Sequence, residues 1–252
     1  MSKFTFIEDK KIEVESWTDI KKEMNTGDLI LCHGKGFFSS IIQTATRSIY
    51  SHIMFVIKSK TLSLEYPTYK DPDHIYFLHS SKDILGIDVI YEVYKTGVQL
   101  VRSDEAVCRY ISDGGKLFIR KSPEIYKDVI IHIDPLKNRQ FKIWLLENIP
   151  KPYEKNIKEL VSSSLDCFYM PCFENTKEDD SSYFCSELVA KIIQMLYGFN
   201  PKVQCNEKTP SDFSFFYMRY SYEIQFNELE QWKQEIEIIV EDLSLLCKKY
   251  LK

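Results

Sequence analysis

The chain has 252 residues, 44% hydrophobic and 14% aromatic, enough apolar material for a substantial core at the upper edge of single-domain size. Its 33 basic and 37 acidic residues are mixed along the sequence and sum to a formal net charge of -4, so no basic field exists to hold a polyphosphate backbone, and nucleic acid is excluded as an expected partner. The amino terminus lacks the apolar stretch of a signal peptide, no run approaches the ~20 apolar residues that cross a bilayer, and the seven cysteines form no CxxC pair and no even framework, so the expectation is a reduced, cytoplasmic chain without an integral membrane segment.

Taken in order, Thr18 to Met24 has the pattern of a short capped helix closed by Asn25-Thr26-Gly27. Asp28 to His33 is a strand that ends at Gly34-Lys35-Gly36, and Phe37 to Ser48 has a helical period at Phe38, Ile41, Ile42 and Ala45. His52 to Ile57 is a buried strand rich in β-branched and aromatic residues, Lys58 to Asp73 a polar loop, and His74 to His79 the next strand. Further strands are expected at Asp88 to Tyr94, Val98 to Val101 and Lys116 to Arg120, making a mostly antiparallel sheet of five or six strands. Helices follow at Lys137 to Asn148 and from Tyr183 to Ile193, and Asn227 to Tyr250 repeats Leu229, Trp232, Ile236, Ile239, Leu243 and Leu246 as an amphipathic helix. The fold class is α+β, with an amino-terminal extension over residues 1–24, a body over 25–215 and a helical extension over 216–252.

Cysteine reacts as a thiolate, which forms most easily at a helix amino terminus or beside a histidine. Cys185 stands where the polar run Glu178 to Ser182 gives way to periodic apolar residues, so it opens a helix whose unpaired N–H groups could also hold an oxyanion. The commonest fate of a free cysteine is nevertheless to be a small buried hydrophobe. The other six are read as structural or incidental, Cys108 and Cys247 in ordinary apolar surroundings and Cys167 and Cys172 flanking a Pro171 loop. Of the five histidines, His52 opens a core strand and His79 closes the next, so antiparallel pairing brings them to one site if both face the same side.

Gly27-Asp28-Leu29-Ile30-Leu31, Ser40-Ile41-Ile42 with Thr46, Tyr50-Ser51-His52-Ile53, Gly97-Val98, Pro152-Tyr153 and Phe184-Cys185-Ser186-Glu187-Leu188-Val189-Ala190 occur in one order. In that order the chain resembles the circularly permuted NlpC/P60 (papain-like) families, which include YaeF/YiiX-like proteins, a poxvirus group and lecithin retinol acyltransferase-like enzymes. The resemblance spans roughly residues 25–215, with the histidine ahead of the cysteine. It implies Cys185 as nucleophile, His52 as general base and His79 as the polar residue that orients His52, where a YiiX-like relative is expected to carry glutamate. A neutral imidazole there stabilises the His52 imidazolium less than a carboxylate would.

Tyr50, Ser51 and Ser186 are candidates for contributing a hydroxyl or backbone N–H to substrate or oxyanion, Asp28 is assigned a turn or capping role, and Glu187 points away from the nucleophile. Phe37-Phe38 and Phe213 to Met218 either line an acyl pocket or pack as ordinary core. No His/Cys/Asp/Glu spacing suggests a metal, and no fingerprint suggests a cofactor. The expected activity is attack on an amide, ester or thioester carbonyl through a covalent acyl-enzyme, with a peptide, amide or lipid acyl substrate and room for peripheral membrane contact. The rival expectation is a catalytically silent fold that serves as a binding or assembly component and meets a protein partner through its carboxy-terminal helix.

Overall fold

A computed structural model of the protein describes residues 13–46, 48–62, 74–123, 135–153, 181–197, 205, 208–214 and 235–248. Residues 1–12, most of the loop expected before His74, His132, Cys167, Cys172, the stretch 215–218, Leu229 and Trp232 lie outside them. The strands are β1 (Glu13–Ser16), β2 (Leu29–His33), β3 (His52–Lys58), β4 (Ile75–Ser81), β5 (Ile87–Asp88), β6 (Val93–Tyr94), β7 (Gly97–Arg102), β8 (Lys116–Arg120) and β9 (Ile236–Ile239). The helices are α1 (Trp17–Glu23), α2 (Phe37–Ala45), α3 (Ser59–Leu62), α4 (Ser103–Ser112), α5 (Pro135–Asn148), α6 (Cys185–Tyr197) and α7 (Leu243–Cys247).

The described strands form one sheet in the order β1-β9-β8-β2-β3-β4-β7-β5-β6, antiparallel at every neighbour except the parallel pair β1 and β9. The apolar runs of β2, β3 and β4 have no polar alternation because both faces of the sheet are covered. Leu29, Leu31, Ile53, Phe55, Tyr76 and Leu78 face one core, built with Phe141 and Leu145 of α5 and Leu188, Val189 and Ile192 of α6. Ile30, Cys32, Met54, Val56, Ile75 and Phe77 face the other, built with Trp17 and Ile20 of α1 and Ala106 and Val107 of α4. The α+β class holds, with helices on two faces.

Four expectations are corrected. The sheet has nine strands among the described residues rather than five or six, and the Asp88 to Tyr94 strand is instead the hairpin β5-β6, turned at Glu92 with φ 57° and held by the buried Asp88 carboxylate, which accepts the N–H groups of Ile90, Tyr91 and Leu100. Within the expected tail helix, Ile236–Ile239 is a strand, because Ile236 and Ile238 alternate with Glu237 and β-branched residues fit a pleated, half-buried surface better than a helix. Cys108 and Cys247, expected to be unpaired, form a disulfide that fastens α7 to α4; no spacing rule pairs cysteines 139 residues apart.

Two buried charges lock the sheet's centre. Asp28 accepts the N–H groups of Asn25 and Ser122, each at 2.8 Å, which gives it the expected turn-capping role and ties the exit of β8 to the entry of β2. Arg120 is fully buried, donates to the Phe213 carbonyl at 2.6 Å and is offset electrostatically by the buried Glu235.

Candidate active site

The β3–β4 ladder runs only from Lys58↔Ile75 to Phe55↔Leu78. Carried on, its register would set Ile53 against Ser80, but there the strands part and the start of α6 enters. The Ser80 hydroxyl donates to the Tyr183 carbonyl at 2.6 Å, and the Ile53 N–H acts on the Cys185 thiol instead of closing a ladder bond. A buried donor left over at a strand end needs an acceptor.

The start of α6 is pinned by segments far apart in sequence. Gly97 has φ +93°, and a Cβ there would lie 2.3 Å from the Lys151 carbonyl oxygen, so only glycine lets the 151–153 segment lie against β7. Val98 N–H donates to that carbonyl at 3.0 Å, and Tyr153 bridges to Tyr183. Glu187, third residue of α6, accepts the Phe184 N–H at 3.4 Å, which is half of a capping box; its buried carboxylate serves the helix start.

His52 and His79 do share one face of the sheet. Both stand on the α1/α4 side by strand alternation, and His52 Nε2 lies 3.2 Å from His79 Nδ1 with the rings edge to face. His79 is fully buried, whereas His52 is partly exposed and lines a cleft of about 420 Å³. Gly34, Phe38, Ile42, Ser51, Asp83, Tyr110 and Tyr153 also line that cleft.

Cys185 begins the helix on the opposite face, 5% exposed and set back from the cleft wall. The residue before it, Phe184, packs edge to face on Tyr153 at 5.7 Å and clusters with Ile42, so the thiol is one residue behind the cleft lining. Among the described residues no hydrogen bond joins the Cys185 thiol to His52. Cysteine and histidine thus reach the parted β3–β4 end from opposite faces, the histidine lining the cleft and the thiol lying behind its wall.

Burial dominates the electrostatics. It pushes the Cys185 thiol up to about 11, against the backbone N–H groups of Ile53, Ser186 and Cys185 itself, which favour the thiolate. It lowers His52 to about 4 and puts His79 well below the usual histidine range, the neighbouring His52 and Lys95 adding to the effect on His79. At neutral pH the site therefore holds a neutral thiol and two neutral imidazoles.

Of the other candidates, Ser51 reaches the cleft, its hydroxyl accepting the Gly34 N–H at 3.1 Å. Tyr50 is buried edge to face on Phe118, and the Ser186 hydroxyl donates to the Lys208 carbonyl at 2.6 Å while both its side chain and its backbone N–H act on the thiol, favouring the thiolate. Phe38 lines the cleft under the Lys82 ammonium, whereas Phe213 is core.

Two residues were missed. Tyr110 of α4 reaches the cleft between Gly34 and Gly115, where its hydroxyl bonds Ser51; a Cβ on Gly115 would lie 2.5 Å from its ring. Gln99 is a fully buried polar residue inside the apolar run of β7, and that break in the pattern was its visible signal. Among the described residues no group of three or more His, Cys, Asp or Glu side chains converges as a metal site, and no helix is long and apolar enough to cross a membrane.

No family model matches the sequence. Among curated proteins the chain is similar to the bifunctional purine biosynthesis protein PurH of Petrotoga mobilis, 27% identical over 185 residues, which are 65% of this chain and 36% of the relative. The chain thus spans about a third of that relative's length. Among solved structures it is similar to the metalloprotein YiiX from Escherichia coli O157:H7, with 15% identity and a TM-score of 0.42 over 86% of this chain and 97% of that one.

Proposed function

We propose that this chain is a cysteine-dependent acyl hydrolase or acyltransferase of the permuted NlpC/P60 kind, with Cys185 as nucleophile, His52 as base and His79 as the residue that orients His52. The observation that carries the reading is the 3.2 Å contact between His52 Nε2 and His79 Nδ1 at the cleft, which leaves His52 Nδ1 for a substrate-side proton. The thiol position at the start of α6 and the N–H groups that act on it support the same reading.

In this mechanism the base works as general base rather than through a preformed ion pair, because thiol and imidazole are both neutral at rest. A shift of Phe184 with Ile42 and Tyr153 brings the thiol to the cleft. Sγ then bonds the carbonyl carbon while His52 Nδ1 takes the thiol proton, and the backbone N–H groups at Cys185, Ser186 and Ile53 hold the oxyanion. As the tetrahedral species collapses, His52 returns that proton to the departing amine, alkoxide or thiolate, leaving an acyl thioester. Water, amine or alcohol then attacks the acyl carbon while His52 accepts its proton, the acyl carbon–Sγ bond breaks, and His52 passes that proton to the departing Sγ, which restores the thiol. Phe38, Ile42 and Tyr153 give the cleft apolar walls suited to the acyl part of a peptide, amide or lipid substrate.

A second reading has an observation of its own. The sealed Cys185, with no hydrogen bond to His52, also suits a catalytically silent fold used for binding or assembly. Its original support, an uncovered apolar stripe in a carboxy-terminal helix, is reduced because Ile236 and Ile238 are buried in the sheet and Cys247 is buried against α4. Turnover of a panel of aryl esters, acyl thioesters and anilides separates the two. The enzyme reading expects saturable turnover that vanishes in Cys185→Ala and falls on the order of 10²-fold or more in His52→Gln; turnover unchanged in either variant, or none in wild type, overturns it.

A further inference from the structure

The His52–His79 contact is incomplete. His79 Nε2 is fully buried and, among the described residues, meets no hydrogen-bond partner. Directly opposite it, in the β4–β7 register, stands Gln99, also fully buried, whose Oε1 is likewise without a partner among the described residues. Residues directly paired across antiparallel strands have Cβ atoms about 4.5–5.5 Å apart, within reach of one another's side-chain ends.

The chemistry of these two atoms is complementary only one way round. Gln99 Nε2 donates to the Asp83 carbonyl at 3.2 Å, and a carbonyl oxygen only accepts, so the amide is fixed with Oε1 as its open acceptor. Gln99 Oε1, on the residue paired with His79, can satisfy His79 Nε2 if that nitrogen carries the ring proton. His79 Nδ1 must then be the bare nitrogen, which obliges His52 to donate from Nε2 and leaves the lone pair of His52 on Nδ1. The opposite tautomers would leave two acceptors on directly paired residues, both buried and neither satisfied, which native interiors avoid.

We infer that Gln99 is a positioning residue: a small turn of either side chain closes the gap between these two unpartnered atoms, the Gln99 carbonyl oxygen accepts the His79 Nε2–H directly, and both histidines are thereby fixed as Nε2–H tautomers with His52 Nδ1 unprotonated at the cleft. The inference rests on the proposed function for its catalytic consequence; the tautomers themselves do not depend on it. Nothing covalent changes, and the relay moves no proton of its own.

Long-range ¹H–¹⁵N correlation spectra of the full chain with labelled histidine, at pH 7 and assigned with His52→Gln and His79→Gln, read the tautomers. Wild type is expected to show both residues protonated at Nε2 and bare at Nδ1. Gln99→Leu, which removes the acceptor, is expected to convert His79 to Nδ1–H or a mixture, with His52 following, while Gln99→Glu keeps an acceptor and retains the wild-type pattern. On a substrate that wild type turns over, Gln99→Leu should lower kcat on the order of 10-fold with KM unchanged, and Gln99→Glu should restore it. Nδ1–H on either histidine in wild type, which needs no variant to fold, overturns the inference, as do tautomers unchanged in a folded Gln99→Leu. The expected tautomers in a chain that turns nothing over would retain the positioning role and discard the enzyme reading.

Discussion

Lowering the pH from 7 to 4 should destabilise this protein through its paired histidines, by an amount set by their burial. In the unfolded chain a histidine titrates near its ordinary value of ~6.5, whereas in the folded protein burial lowers His52 to about 4 and His79 well below the usual range. Between these values the unfolded state binds more protons than the folded one, so stability rises with pH across the window and is lost as the pH falls through it. For His52 alone, linkage gives a loss of about 2 kcal/mol by pH 5 and about 3 kcal/mol by pH 4, and His79 adds to it in the same direction. The carboxylates do little over most of this window because their ordinary range lies near ~4. Urea unfolding at pH 7, 6, 5 and 4.5 measures it, with an expected fall in midpoint of roughly 1 M by pH 5. The double variant His52→Gln/His79→Gln should flatten most of the slope. Stability that is level between pH 7 and 5, or a slope kept intact by the double variant, would refute the idea that these rings are held neutral by burial.

Arg120→Met should cost about 3–5 kcal/mol, since it leaves the Phe213 carbonyl and the buried Glu235 without their cation, and Arg120→Met/Glu235→Leu should recover much of that loss; an Arg120→Met protein as stable as wild type would deny the pairing. Reduction, or Cys247→Ser, should lower stability by about 2–4 kcal/mol because α7 is fastened to α4 by the Cys108–Cys247 disulfide; a mass 2 Da heavier after reduction of the intact chain checks that the bond exists. Without substrate, alkylation of Cys185 by iodoacetamide should climb about tenfold per pH unit from 7 to 10 with no plateau, following a thiol pushed up to about 11. A plateau reached below pH 8 would mean that the thiolate is already formed at rest.

The elements nearest the site were the most legible. The strands that carry His52 and His79, and the helix that opens at Cys185, stand within two residues of where their apolar runs begin, because a run flanked by turn residues can only be buried from its first apolar position onward. What hid was pairing at a distance. Strand parity decides whether His52 and His79 share a face, and it follows from the Phe55↔Leu78 register, which local pattern does not encode. The same holds for β1 and β9, whose parallel pairing joins residues more than 200 positions apart and turned an expected helix at Ile236 into an interior strand. The setting of Cys185 was half visible: its place at the helix start shows in the change from polar to periodic residues, but its seal beneath Phe184 and Tyr153 depends on the 151–153 segment crossing Gly97. Gln99 escaped because it lies on a strand read for its apolar run, where it is the one polar position that breaks it, and Tyr110 because the stretch that forms the helix Ser103–Ser112 was assigned no element.

The most direct test of the central claim is intact mass of the protein quenched in acid milliseconds to seconds after mixing with a short-chain acyl thioester. The account predicts one acyl adduct, mapped to Cys185, that decays on addition of water-accessible nucleophile, is absent in Cys185→Ala, and forms far more slowly in His52→Gln. No adduct in wild type, or an adduct that persists in Cys185→Ala, would contradict it.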